Sequence, residues 1–278
     1  MTASITTGVK YRDIKPQIGA EILANKEELL SGVHAAELRD LLEQKGVLVF
    51  PQVHFTDDEQ VAFTKTLGTF APEMRGEEIY KISLDKKQTA TADYLKGAFF
   101  WHFDGFMNPV PIRASILSSK VLSPPGTGNT EFANTYAAYD ALPDDIKRKL
   151  EGLTAVHALA ATQLDHTPEP TIEQWREWRA VGRAELPLVW KHESGRKSLV
   201  IGNSAYAILG MEPLESKELL IYLRDFATQD RFHYSHTWSV GDTVMWDNTG
   251  TLHRATYYPL DCGRMLHRTK LQGEEPIA

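Results

Sequence analysis

WDNTGTLHRATYYPLDCGRMLHRTKL, residues 246–271, decides how the chain is read. Trp246-Asp247-Asn248 ends the apolar run DTVMWDN, and Thr249-Gly250 makes a turn. His253 follows in a second short run, and RMLHRTKLQ reads as a third. Short strands separated by turn residues continue upstream to about residue 98, in ASILSSKVL, SLVIGN and FHYSHTW. The pattern predicts a mainly β protein with flanking helices and a jelly-roll core.

The amino-terminal third reads as helical. HAAELRDLLEQKG, residues 34–46, puts Leu38, Leu41 and Leu42 on one face and stops at Gly46. GVLVFPQV is a β-rich run broken by Pro51, and Thr56 opens a second helix, DDEQVAFTKTLG, burying Val61, Phe63 and Leu67. Further helices are expected over 137–152 and 215–229, and 162–190 reads as an irregular or helical insertion. With no repeat, low-complexity tract or linker, residues 1–278 are expected to form one domain.

Composition excludes more than it selects. A hydrophobic fraction of 42% and a charged fraction of 24% fit a globular domain, and a net charge of −7 carries no basic footprint for nucleic acid or an anionic membrane. The first residues lack the pattern of a secretory signal, and no apolar run approaches the roughly 20 residues of a membrane span. Cys262 is the only cysteine, which excludes an intramolecular disulfide and a cysteine-rich zinc site. A cytoplasmic protein is expected.

Of the ten histidines, only His102 is followed two residues later by a carboxylate, Asp104. In a strand these two side chains share a face, so both can point into one cavity. A histidine from a distant strand, His253, completes two imidazoles and one carboxylate, the donor set of non-haem iron(II) oxygenases. Alone, the His-x-Asp pair is a weak signal, more often a surface histidine beside a helix-capping or turn aspartate. Arg264 lies 11 residues beyond His253 and Arg268 four further on. A keto acid that chelates iron needs a cation for its distal carboxylate, and the planar guanidinium suits that role.

With WHFDGF at 101–106, GTGNTEFANTYAAYDALP at 126–143, SGRKSLVIGN at 194–203 and the 246–271 block, the chain resembles the taurine and 2,4-dichlorophenoxyacetate dioxygenase family. IGAEI and GVLVFPQVHFTDDEQVAFTKTLG are similar to the family's opening, so the match runs in order through nearly the whole chain. The resemblance implies a double-stranded β-helix, with iron(II) on His102, Asp104 and His253. It implies that Arg264 and Thr130 hold 2-oxoglutarate and that Arg268 lines the substrate side. The implied reaction converts 2-oxoglutarate and dioxygen to succinate and carbon dioxide while hydroxylating a C–H bond of a small organic substrate. Asp104 argues against the related halogenases, which lack this carboxylate. Desaturation or cyclisation by the same chemistry stays open, and so does a homo-oligomer. A non-oxidative jelly-roll metal protein would not need Arg264 and Thr130.

The chain departs from the taurine enzyme where that enzyme has a substrate-binding histidine and asparagine. The corresponding positions fall near Ala71 and on Ala98, which argues against taurine. Phe99, Phe100, Trp101 and Phe106 suggest an apolar or aromatic substrate, although aromatics alternating in a strand are more often core. Phe103 is expected to face away from the ligands. His157, His267 and Glu131 are read as structural, His233 and His236 as a poor metal pair, and Trp175 with Trp178 as a helix packing face.

Overall fold

The computed structural model describes residues 8–73, 76–89 and 92–278; the extreme amino terminus, on which the absence of a signal was partly read, lies outside them. Its frame is an eight-stranded, largely antiparallel sheet. The order is Tyr11–Asp13, Ala20–Ile22, Val47–Phe50, Thr243–Asp247, Ala114–Val121, Met265–Leu271 and Phe70–Ala71, with Tyr80–Ile82 also paired to Met265–Leu271. A three-stranded sheet, His233–His236, Thr130–Asn134 and Thr251–Ala255, supplies the opposing wall. Two smaller sheets, one containing Thr154–Ala158, extend the body beyond it.

Strand alternation divides the apolar residues between two sides of the large sheet. Val47, Val49, Leu117, Val244, Trp246 and Leu266 face inward and pack with Phe132 of the opposing wall. Leu48, Phe50, Ile116, Met245 and Leu271 face outward and are covered by Leu38, Leu42, Phe63 and Leu67 of the amino-terminal helices. Those helices form as their caps dictate. Ala35–Lys45 ends at Gly46 with φ 72°, a left-handed conformation that costs glycine little. Asp57–Leu67 begins at Thr56, whose side chain accepts from the Glu59 N–H while Glu59 accepts from the Thr56 N–H.

The expected 137–152 helix is two short ones, Thr135–Asp140 and Asp144–Leu150, because Pro143 disfavours helical geometry at the residue before it. The 162–190 segment is helical only in part. After Leu159–Leu164 and Ile172–Ala180 come strands Arg183–Pro187 and Val189–Lys191. Arg183–Pro187 is a half-exposed edge strand, and its charged, proline-ended sequence RAELP hides it from pattern reading. Helix 215–229 is found as Pro213–Ala227. Among the described residues no helix is long and apolar enough to cross a membrane.

The candidate metal centre and its cavity

The inner face of the large sheet, the three-stranded wall and the segment around residues 94–112 enclose a cavity of about 450 Å³. His253 enters it from Thr251–Ala255, whose register sets His253 opposite Phe132 and so inward. His102 and Asp104 do not lie in a regular strand, as the alternation argument had assumed. Their segment is extended and meets Thr251–Ala255 at one antiparallel bridge: His102 N–H donates to the His253 carbonyl (3.1 Å), and His253 N–H to that of His102 (2.8 Å). Gly202 lets another strand of backbone run against this bridge. A Cβ there would sit 3.2 Å from both His102 Cα and the Trp101 carbonyl oxygen.

Asp104 turns inward for a reason the sequence did not disclose. Asn248, buried at the end of the DTVMWDN run, accepts from the Asp104 N–H and donates to the Asp104 carbonyl, both at 2.8 Å. It also donates to the Ile112 carbonyl at 3.1 Å. One amide side chain thus fixes the backbone on both sides of the carboxylate-bearing carbon.

The ligand atoms of His102, Asp104 and His253 all lie within 4.8 Å of one another, a grouping that no other set of histidine, cysteine or carboxylate residues forms among the described residues. His102 Nδ1–H donates to the Phe100 carbonyl at 2.8 Å, which leaves Nε2 as the free lone pair, 3.9 Å from the Asp104 carboxylate. Burial, and then the adjacent His102, push the His253 imidazole well below its usual value, so it is neutral and able to ligate. Burial alone would raise the Asp104 carboxyl, but the charge of the Arg268 guanidinium leads the effects that overcome it and hold Asp104 at about 2. Two imidazoles and one carboxylate within that radius fit a divalent first-row ion.

The two arginines stand in different company. Arg264 is buried, donates to the Gly128 carbonyl at 3.0 Å and stacks over the Tyr258 ring at 4.5 Å. No carboxylate pairs with it among the described residues, and burial lowers its basicity. Thr130 lines the same cavity, its hydroxyl accepting from Trp238 Nε1–H at 3.0 Å. Arg268 is doubly paired. It donates through Nε and Nη2 to Glu73 (3.1 and 3.2 Å) and through Nη1 to Asp104 (3.0 Å).

Of the expected aromatic lining, only Phe106 reaches the cavity from the proposed set; Phe99, Phe100 and Trp101 do not. Trp101 is buried in the core with Arg254 over its ring, and Phe99 packs on Tyr257 and Tyr258. Phe103, expected to turn away, belongs both to that core and to the cavity lining. Tyr80, Tyr94 and Trp246 complete the aromatic lining, and Ala98 lies on the cavity while Ala71 does not. His157 is buried and bonded to Ser204 Oγ, His267 to Asp57, and Glu131 to Arg254, all away from the ligand cluster. His233 and His236 face separate acids, Glu131 and Asp242. Asn248 and Glu73 were missed: each acts on a partner far along the chain, and neither lies in a spacing that signals it.

Comparison with known proteins agrees with this geometry. The family model described as taurine catabolism dioxygenase TauD, TfdA family matches residues 10–270. The chain is 36% identical over 276 residues to the (S)-phenoxypropionate/alpha-ketoglutarate-dioxygenase of Sphingobium herbicidovorans, covering 94% of this chain and 95% of that one. It is likewise 36% identical to the alpha-ketoglutarate-dependent 2,4-dichlorophenoxyacetate dioxygenase of a Burkholderia species, over 88% of this chain and 89% of that one. The crystal structure of AAD-2 in complex with Mn(II) and N-oxalylglycine superimposes with a TM-score of 0.82 at 31% identity, covering 97% of this chain and 99% of that one. The jelly-roll architecture is common to both. The chain belongs to the taurine catabolism dioxygenase TauD, TfdA family and is an alpha-ketoglutarate-dependent dioxygenase, an oxidoreductase using iron(II) and 2-oxoglutarate.

Proposed function

We propose that the chain hydroxylates a C–H bond of a small aromatic monocarboxylic acid of the aryloxyalkanoate type, with iron(II) held by His102, Asp104 and His253. The observation that carries the reading is Arg264, a buried guanidinium with no carboxylate partner among the described residues, on the wall of the cavity that holds the three ligands. Burying a cation without a counter-ion is costly, so such a group marks where an anionic cosubstrate binds. Arg264 takes the distal carboxylate of 2-oxoglutarate, assisted by the Thr130 hydroxyl. Stacking over Tyr258 and the bond to the Gly128 carbonyl fix the fork before the ligand arrives.

When bound, the iron supplies the oxidative decarboxylation of 2-oxoglutarate and the hydroxylation of substrate. The chain's part is to place groups and exclude water. Phe100 holds the His102 tautomer through its carbonyl, Asn248 holds the Asp104 backbone, and Arg268 holds the Asp104 side chain. Tyr80, Tyr94, Phe103 and Phe106 present an apolar, aromatic lining to the substrate ring. Among the described residues, Arg268 and Lys270, projecting inward from Met265–Leu271, are the cavity cations left to meet a substrate acid group. Kinship with enzymes named for phenoxypropionate and 2,4-dichlorophenoxyacetate supports this substrate class. The net charge of −7 and the single cysteine support a cytoplasmic enzyme without a nucleic-acid partner, and the family match over residues 10–270 supports a single domain over residues 1–278.

Anaerobic addition of iron(II) and 2-oxoglutarate should give a weak visible charge-transfer band that disappears in His102→Ala and Asp104→Ala proteins. Phenoxyacetate-type acids should then stimulate succinate release. A wild-type protein that shows no band and forms no succinate with any acid of that class would overturn the reading.

A further inference from the structure

The charged groups on the cavity wall can be accounted for one by one. Among the described residues they are Glu73, Asp104, Arg254, Arg264, Arg268 and Lys270. Arg254 is neutralised from outside the cavity by Glu131 at 2.7 Å. On the reading proposed above, Asp104 is committed to the metal and Arg264 to the distal carboxylate of 2-oxoglutarate. That leaves two cations, Arg268 and Lys270, and one anion, Glu73.

Glu73 is placed between them. Its carboxylate accepts from Arg268 Nε and Nη2 on the side of the guanidinium and from Lys270 Nζ at 2.8 Å. Arg268 and Lys270 are two residues apart in Met265–Leu271 and so project to the same face. Without Glu73 they would set two like charges side by side in a confined space. The Glu73 side chain is only 3% exposed. Its backbone is held in both directions, the Glu73 N–H donating to the Glu77 carbonyl (2.8 Å) and the Gly76 N–H to the Glu73 carbonyl (3.1 Å). Glu73 is therefore a fixed part of the wall.

From this we infer that Glu73 is a specificity-determining residue that limits the substrate end to one uncompensated positive charge. The site then takes acids bearing a single negative charge and rejects those bearing two. A monocarboxylate neutralises the one spare charge. A dicarboxylate of the same ring brings a second charge toward Glu73, and like charges brought together in a desolvated site repel strongly. This inference rests on the function proposed above, and it assigns the discrimination to a residue that touches neither metal nor 2-oxoglutarate.

The test is calorimetric titration of phenoxyacetate and of phenoxymalonate, its two-charge analogue, into protein loaded with Mn(II) and N-oxalylglycine. Wild-type and Glu73→Asp proteins should bind phenoxyacetate tighter than phenoxymalonate by at least about tenfold. Glu73→Gln should bind phenoxymalonate at least about tenfold tighter than wild type does, with a smaller gain for phenoxyacetate. Lys270→Met should weaken phenoxyacetate binding by about tenfold. An unchanged ratio of the two affinities in Glu73→Gln, or an equal loss of both, would make Glu73 a mere prop for Arg268 and overturn the inference. If N-oxalylglycine binds but neither acid binds any of these proteins, the proposed substrate class fails and takes the inference with it. Failure of N-oxalylglycine to bind would instead indict the cosubstrate site.

Discussion

Arg264 and Arg268 are four residues apart, both buried or nearly so, both on the wall of one cavity, and they solve the problem of burial in opposite ways. Arg268 brings its anions with it, Glu73 and Asp104. Arg264 has only a carbonyl, a phenol and an aromatic face among the described residues. A buried cation whose counter-ion belongs to the protein is part of the architecture, and one whose counter-ion is missing is a receptor. The difference predicts that removing the first costs stability as well as any hold on substrate, and that removing the second costs cosubstrate binding alone.

Arg264→Met should weaken 2-oxoglutarate binding by roughly a hundredfold to a thousandfold, since truncating one partner of a buried charge pair costs several kcal/mol. It should leave the thermal stability of the free protein unchanged or raised, because no protein anion loses its partner. Titration with N-oxalylglycine, set beside a melting curve, checks both halves. Affinity retained to within about threefold would break the comparison at its receptor end.

The next effect in size is on stability. Arg268→Met strands Glu73 against Lys270 alone and frees Asp104, and should cost about 3 kcal/mol. At about 2–4 °C per kcal/mol this is a fall of about 6–12 °C in Tm. An unchanged melting temperature would show that Arg268 is not architectural.

His157 escapes the same cost by staying neutral. Buried against Phe103 and Phe106, its imidazole is pushed by desolvation from 6.5 down to about 4. A depressed histidine lets the unfolded chain take up more protons below its own value, so the stability it confers is complete above pH 6.5 and drains away toward pH 4. The full loss is about 3 kcal/mol. Urea unfolding at stepped pH should show this acid limb, and His157→Gln, which carries no proton to gain, should flatten it. An acid limb of equal steepness in the variant would exclude His157 as its source.

The smallest effect belongs where water screens the pair. Lys65 and Glu78, about half exposed and 2.8 Å apart, form an ion pair as short as those around Glu73. Lys65→Ala should nevertheless change stability by less than about 1 kcal/mol. A loss as large as that of Arg268→Met would mean that distance, not burial, sets the worth of these pairs.

Much of the frame was legible because it is written locally. Leu38, Leu41 and Leu42 recur at helical spacing, Gly46 supplies the left-handed stop, and Thr56 with Glu59 forms the capping box, all within a few residues of where they act. The His-x-Asp pair, the later histidine and the two arginines were legible as an ordered set, and the structure gathers the three proposed ligands within 4.8 Å. The strand Arg183–Pro187 was not legible, because a half-exposed edge carries charges in place of an apolar alternation. The aromatic run before His102 was misleading. Aromatic residues report burial, and Trp101 is buried in the core while Tyr80 and Tyr94 line the cavity from elsewhere.

What the sequence determined by itself, then, is the period of each segment and the inventory of chemical groups: strands whose alternate residues face inward, two imidazoles, a carboxylate and two guanidinium groups in family order. Only the tertiary structure decided which of those charges are already answered. Alternation within Met265–Leu271 turns Arg268 and Lys270 inward and His267 outward, but it does not say what waits across the cavity. Glu73 stands 195 residues from Arg268, and Asn248 reaches 144 residues back to fix Asp104. Coulombic and hydrogen-bond energies depend on separation in space and on the dielectric between the groups, and neither is a function of separation along the chain.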